Sequence, residues 1–113
     1  MNRQMFIDRL RAWAMRADNE VVESVGTAKL AWQGQANVLH ALANVVASGS
    51  GGNDPAALRQ QIINERAKVL DAWNAERDPV RAAPYSGEVQ AYELVLDLLK
   101  DVDSWTPTPA GMR

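Results

Sequence analysis

The run from Leu30 to Asn53, LAWQGQANVLHALANVVASGSGGN, holds twenty-four residues without one Asp, Glu, Lys or Arg, in a chain that is 23% charged overall. A solvent-facing helix ordinarily carries Lys or Glu on its outer side, so a stretch this long and this poor in charge predicts a helix covered on more than one side. The run is long enough to cross a bilayer, but Gln33, Gly34, Gln35, Asn37, His40 and Asn44 make insertion costly, and no membrane association is expected.

The spacing within and before this run is regular. Val21, Val25, Ala28, Trp32, Gln35, Leu39, Leu42 and Val46 alternate steps of four and three, a coiled-coil-like seam with one polar member, and Ala31, Val38 and Val45 widen it. The pattern predicts a helix over residues 20–47, which at ~1.5 Å per residue would reach roughly 42 Å. A compact domain of this size has a radius of gyration of only ~13 Å, so the excess length implies a covering partner. Gln33, Asn37, His40 and Asn44 fall at i, i+4, i+7 and i+11 as an uncharged polar row. The row is expected to be covered by another helix or a second subunit, and a homodimer is the simplest cover.

The rest of the chain punctuates into three more helices. Phe6, Leu10, Trp13 and Ala17, with Ile7 and Ala14, predict an amphipathic helix over 3–17, and Asp18 and Asn19 either cap the next helix or lie inside a continuous one. SGSGGN within 48–54 is a Gly/Ser-rich loop, and Asp54-Pro55 is a strong start signal for a helix over 55–77. Residues 78–85, DPVRAAPY, contain two prolines and are expected to form a loop with at most one helical turn. Ser86 then caps a helix over 87–103 whose apolar residues, among them Val89, Val95, Leu96 and Leu99, cover most of its circumference, which makes it central. The tail 104–113, SWTPTPAGMR, is extended because of its prolines, with Trp105 able to pin it to the bundle. The expected fold is therefore all-α, a four-helix bundle in a single domain over 1–113.

Composition narrows the function more by exclusion than by indication. With no Cys there is no disulfide, thiolate nucleophile or thiolate metal site, and the absence of Cys and of a visible signal peptide favours the cytoplasm. A net charge of −2 implies neither a nucleic-acid mimic nor a strongly basic binder, although residues 1–17 hold four Arg against one Asp. Arg9 and Arg16 share a face of the first helix and make a DNA-binding regulator a minor alternative. The single His, His40, has no acid near it on its own helix and reads as a structural hydrogen-bonder. Glu93, Asp97 and Asp101 form an i, i+4, i+8 row without a His, which reads as a solvated strip rather than a metal site. SGSGGN lacks the Lys and preceding strand of a phosphate loop, nothing marks a nucleophile, and no catalytic residue, cofactor or metal is expected.

Arg59 and Arg66, one heptad apart, project into the apolar arc of the third helix beside Ile62, Ile63, Val69, Leu70 and Trp73. Buried Arg needs a partner, so each either pairs with an acid of its own chain, such as Glu88 or Asp103, or joins Trp73 in a partner-binding hot spot. The candidate partner-binding residues are thus Gln33, Asn37, His40, Asn44, Arg59, Arg66 and Trp73. Trp32, Gly34 and Ala36 in LAWQGQA resemble the Trp-x-Gly helical hairpin proteins exported by type VII secretion, which are small, Cys-free and dimeric. That family's motif sits in the turn between two long helices and is accompanied by a C-terminal Tyr with an acid four residues on. Here the obvious turn is SGSGGN, and Leu96 follows Tyr92 and Val89 follows Tyr85 at that distance, so membership is not assigned. The expected function is that of a small non-enzymatic helical protein that binds another protein, as an accessory, regulatory or inhibitor subunit of the kind phages and mobile elements encode. A structural homo-oligomer or particle component is the other alternative.

Overall fold

The computed structural model describes residues 1–49 and 54–107. Four helices make up the described fold: α1 (Arg3–Glu23), α2 (Gly26–Ser48), α3 (Pro55–Ala75) and α4 (Pro79–Leu99). The all-α bundle expected from the sequence is the architecture observed, and no described helix is long and apolar enough to cross a membrane. The centre of the Gly/Ser loop, 50–53, and the tail beyond 107 lie outside the described residues.

Three of the four starts follow one chemistry. Asn2, Asp54 and Asp78 each accept a backbone N–H of the first turn, from Met5 at 2.7 Å, Ala56 at 3.0 Å and Val80 at 2.9 Å. Pro55 and Pro79 occupy the first helical position, where a missing N–H removes nothing. The fourth start, at Val25, has no side-chain cap. There the chain turns through Ser24, whose N–H donates to the Glu20 carbonyl at 2.9 Å, and through Gly26, whose φ of +64° suits a residue without Cβ.

Several helix boundaries correct the sequence reading. The first helix runs through Asp18 and Asn19 to Glu23, so α2 starts at Gly26 rather than at residue 20. Val25, read as a seam member, is exposed at the turn, whereas Leu39 and Val46 farther along the seam are fully buried. With 23 residues α2 spans roughly 35 Å. It lies within a molecule measuring 52 × 29 × 22 Å, so its length no longer calls for a second subunit. The fourth helix begins at Pro79, not residue 87, because Asp78-Pro79 is a capped start and Pro84 falls early in the helix, where its ring removes only the bond to the Val80 carbonyl. It ends at Leu99 rather than 103, with Lys100 at its C-terminal cap.

The helices pack as α1 on α2, α2 on α4, and α3 on α4. Arg3 at the start of α1 donates to the Val46 and Ala47 carbonyls at the end of α2, and Arg59 near the start of α3 donates to the Leu99 and Val102 carbonyls at the end of α4. Each pair is therefore an antiparallel hairpin in which an Arg satisfies carbonyls at the end of its partner helix. Trp105, just past α4, tilts against Phe6 of α1 with ring centroids 5.1 Å apart, and Thr106 exchanges hydrogen bonds with Met1. The described start of the tail, residues 104–107, thus docks on its own domain through Trp105 and Thr106. These contacts bring the ends of α2 and α4 to one end of the bundle, so the two central helices run parallel.

The α2–α4 contact is made by glycines. A Cβ on Gly34 would strike the backbone of Pro84, and one on Gly87 would strike that of Ala31, so each helix meets the other's main chain. Around this crossing Phe6, Leu10, Leu39, Val46, Leu58, Ile62, Val95 and Leu99 form the core, each within a percent or so of complete burial. Burying each such side chain contributes about 1.5–3 kcal/mol.

Candidate binding groove

A cleft of about 530 Å³ opens where α1, α2 and α4 diverge. Each helix contributes one stripe at helical spacing: Trp13 and Arg16 from α1, Trp32 and Gln35 from α2, and Gln90, Glu93, Leu94 and Asp97 from α4. Both indoles are half-buried, and Leu94 keeps 40% of its surface exposed. Gln35 is 9% exposed and its side chain makes no hydrogen bond among the described residues, so its amide is presented to the cleft that it lines.

The walls differ in charge state. On α4, Glu93 accepts from Arg66 at 2.7 Å, and Asp97 lies 3.7 Å from Lys100. On α1, Arg16 carries no ion pair among the described residues, and Arg9 sits with its guanidinium carbon 5.9 Å from the centroid of Trp13. The α4 wall is internally compensated and the α1 wall keeps a net positive charge.

No protein-family model, curated protein or solved structure matches the chain. The groove must be read from its own chemistry. In this fold Trp32 and Gly34 lie well inside α2 rather than in the turn, unlike the arrangement of the Trp-x-Gly hairpins.

The residues singled out from sequence are dispersed. Gln33, Asn37, His40 and Asn44 are all exposed along one side of α2, and His40 Nε2 meets Asp18 Oδ2 of α1 at 2.8 Å on open surface. Arg59 is occupied by the end of α4, and Arg66 pairs with Glu93 rather than with Glu88 or Asp103. Trp73 lies at a shallow second cleft of about 370 Å³ with Thr27, Ala28, Ala31, Pro79, Ala82, Ala83 and Ser86. Between α3 and α4, burial raises the Glu88 carboxyl above its ordinary range. It also raises the Tyr92 phenol, with Glu65 and Glu88 adding to the effect. Among the described residues no group of three or more His, Asp or Glu is placed to hold a metal ion.

Sequence reasoning placed Trp13 and Trp32 in the core and Gln35 as the polar member of a buried seam. It did not join them, because the valley exists only once α1 and α4 both lie against α2. The available signal was that polar seam member, a hydrogen-bonding group for which the seam itself offers no partner.

Proposed function

We propose that the protein is a non-enzymatic, cytoplasmic binding protein that engages another protein through the Trp13–Trp32 groove, as an accessory, regulatory or inhibitor subunit. The observation that supports this reading most is the groove's composition. Two Trp, an exposed Leu and a Gln amide with no protein partner line a concavity that the described chain leaves open, and aromatic anchors beside a polar group that can bond a partner are the usual make-up of an interface hot spot.

Leu94→Glu tests it, because Leu94 is on the groove wall and exposed enough to accept a charge without unfolding the bundle. Parent and variant are compared as baits in the native host's lysate. A protein retained by the parent and lost by the variant supports the reading, and identical capture by both refutes it.

A second reading is self-association through α2. The exposed row Gln33, Asn37, His40 and Asn44 contains no Asp, Glu, Lys or Arg, and Asp18 of α1 meets it at His40; a row so poor in charge suits a face covered by its own copy. Asn37→Glu would bury an unpaired charge near a twofold axis while improving local helix propensity. The expected result is a monomer on sedimentation with unchanged circular dichroism, and an unaltered sedimentation coefficient refutes the self-contact.

A further inference from the structure

Resting on the protein-binding reading, we infer that the groove accepts an acidic–aromatic segment of the partner polypeptide. In this arrangement an apolar side chain lies between Trp13 and Trp32, a neighbouring Asp or Glu carboxylate meets Arg16, and a peptide unit pairs with Gln35. Three observations carry this, each from a different side of the cleft.

The first is the charge distribution. Glu93 and Asp97 already have cationic partners in Arg66 and Lys100, so an incoming cation would have to compete with them. Arg16 has none among the described residues, so an incoming carboxylate gains a charge-assisted hydrogen bond without displacing one. Arg9 over Trp13 adds a second positive charge to the same wall.

The second is Gln35. More than nine-tenths of the residue is buried, while its amide reaches the open cleft and has no hydrogen-bond partner among the described residues. A carboxamide offers one acceptor and a donor side by side, the complement of a backbone N–H and C=O, whereas a free carboxylic acid could satisfy only the donor once ionised. This favours a polypeptide over a small organic acid. The third is the pair of indoles with Leu94, whose surfaces call for an apolar or aromatic body.

The test is a titration of the full chain observed through the indole N–H resonances. Trp73 and Trp105 lie outside the groove and act as internal references. The probes are the blocked peptides acetyl-Gly-Asp-Phe-Gly-amide and acetyl-Gly-Lys-Phe-Gly-amide, and 3-phenylpropionate. The acidic peptide is expected to shift the Trp13 and Trp32 signals saturably and leave those of Trp73 and Trp105 in place. Arg16→Gln, at an exposed position, should weaken it about fivefold or more, and Gln35→Met should weaken it comparably. Equal shifts by the lysine peptide, or indifference to Arg16→Gln, overturn the proposed chemistry. Binding of 3-phenylpropionate as tight as that of the peptide overturns the polypeptide assignment in favour of a small carboxylic acid. If Leu94→Glu abolishes capture of a partner while the acidic peptide produces no shift, the groove binds protein but not this segment. If Leu94→Glu leaves capture unchanged, the protein-binding reading itself fails.

Discussion

Gly87→Ala sets helix propensity directly against helix packing. Inside a helix, Ala is favoured over Gly by roughly 1 kcal/mol, so an isolated α4 would be stabilised by the change. In the bundle the added Cβ would lie 2.6 Å from the Ala31 carbonyl carbon and 3.0 Å from the Gln35 nitrogen, where ordinary contact begins near 3.4 Å. Both neighbours are backbone, so no side chain can swing aside. The Ala31 carbonyl oxygen is closer still, so α2 and α4 must instead part by roughly 1.5 Å, which loosens the core cluster of Leu39, Val95 and Leu99, packed at crystal-like density. Overpacking of this kind costs about 1–3 kcal/mol and occasionally more. So close an approach to backbone puts this site at the upper end of that range, and after the propensity gain the net loss is expected to be about 2 kcal/mol. Urea unfolding followed by circular dichroism measures it as a lowered midpoint at unchanged m-value. Gly34→Ala should behave alike, and the double variant should lose less than the two singles together, because one separation of the helices relieves both clashes. A Gly87→Ala midpoint equal to or above the parent's would refute the close approach.

Leu99→Ala, at a fully buried position, should cost about 2–5 kcal/mol on the same assay, and a change under about 1 kcal/mol would mean that the end of α4 is not core. Arg59→Met removes the donors to the Leu99 and Val102 carbonyls; since the Arg59 Nε is itself buried without a partner, the loss should fall near the low end of about 1–3 kcal/mol, read by thermal melting. For Glu88 the folded-state pKa is raised by burial, so the stability it contributes is present below its unfolded pKa and lost as pH rises through the folded one. Glu88→Gln should therefore melt above the parent at about pH 7, with the gap closing toward about pH 4, and a gap that widens on acidification would reverse the assigned sign.

The helix count and the buried face of α2 from Trp32 onward were legible because 3.6-residue periodicity records burial directly. The errors occurred where a local signal had two meanings. Asp78-Pro79 repeats the Asp54-Pro55 start, but Pro84 five residues later made the segment resemble a loop; proline there removes only one hydrogen bond. Gly26 was absorbed into a heptad pattern that happens to run across the turn, so Val21 and Val25 lengthened a helix that is in fact two. Arg59 and Arg66 were rightly expected to need partners within the chain or beyond it. That Arg59 would find main-chain carbonyls of another helix was illegible, since backbone acceptors leave no trace in side-chain chemistry. The groove was illegible for a similar reason: it is the gap between three helices, and no one helix encodes a gap.

The burial along α3 is uneven, and this sets the direction in which that helix comes apart. Its fully buried residues, Pro55, Leu58 and Ile62, all lie in its first half, whereas Val69 and Leu70 are half-covered and Ile63 and Trp73 are exposed. Beyond Ile62 the helix meets the bundle only through half-covered side chains, Trp73 at the second cleft and the partly exposed Arg66–Glu93 pair, the last worth little in water. Local opening free energy follows the apolar contacts a segment gives up, so the stretch from Val69 to Ala75 is a weakly protected unit, able to unwind while the buried parts of α1, α2 and α4 stay assembled. Its amides would exchange with solvent through such sub-global excursions, while those around Leu39 and Val95 would wait for the whole bundle to open. Fluctuation of α3 thereby falls beside Trp73 and the shallow second cleft, away from the Trp13–Trp32 groove on α1, α2 and α4.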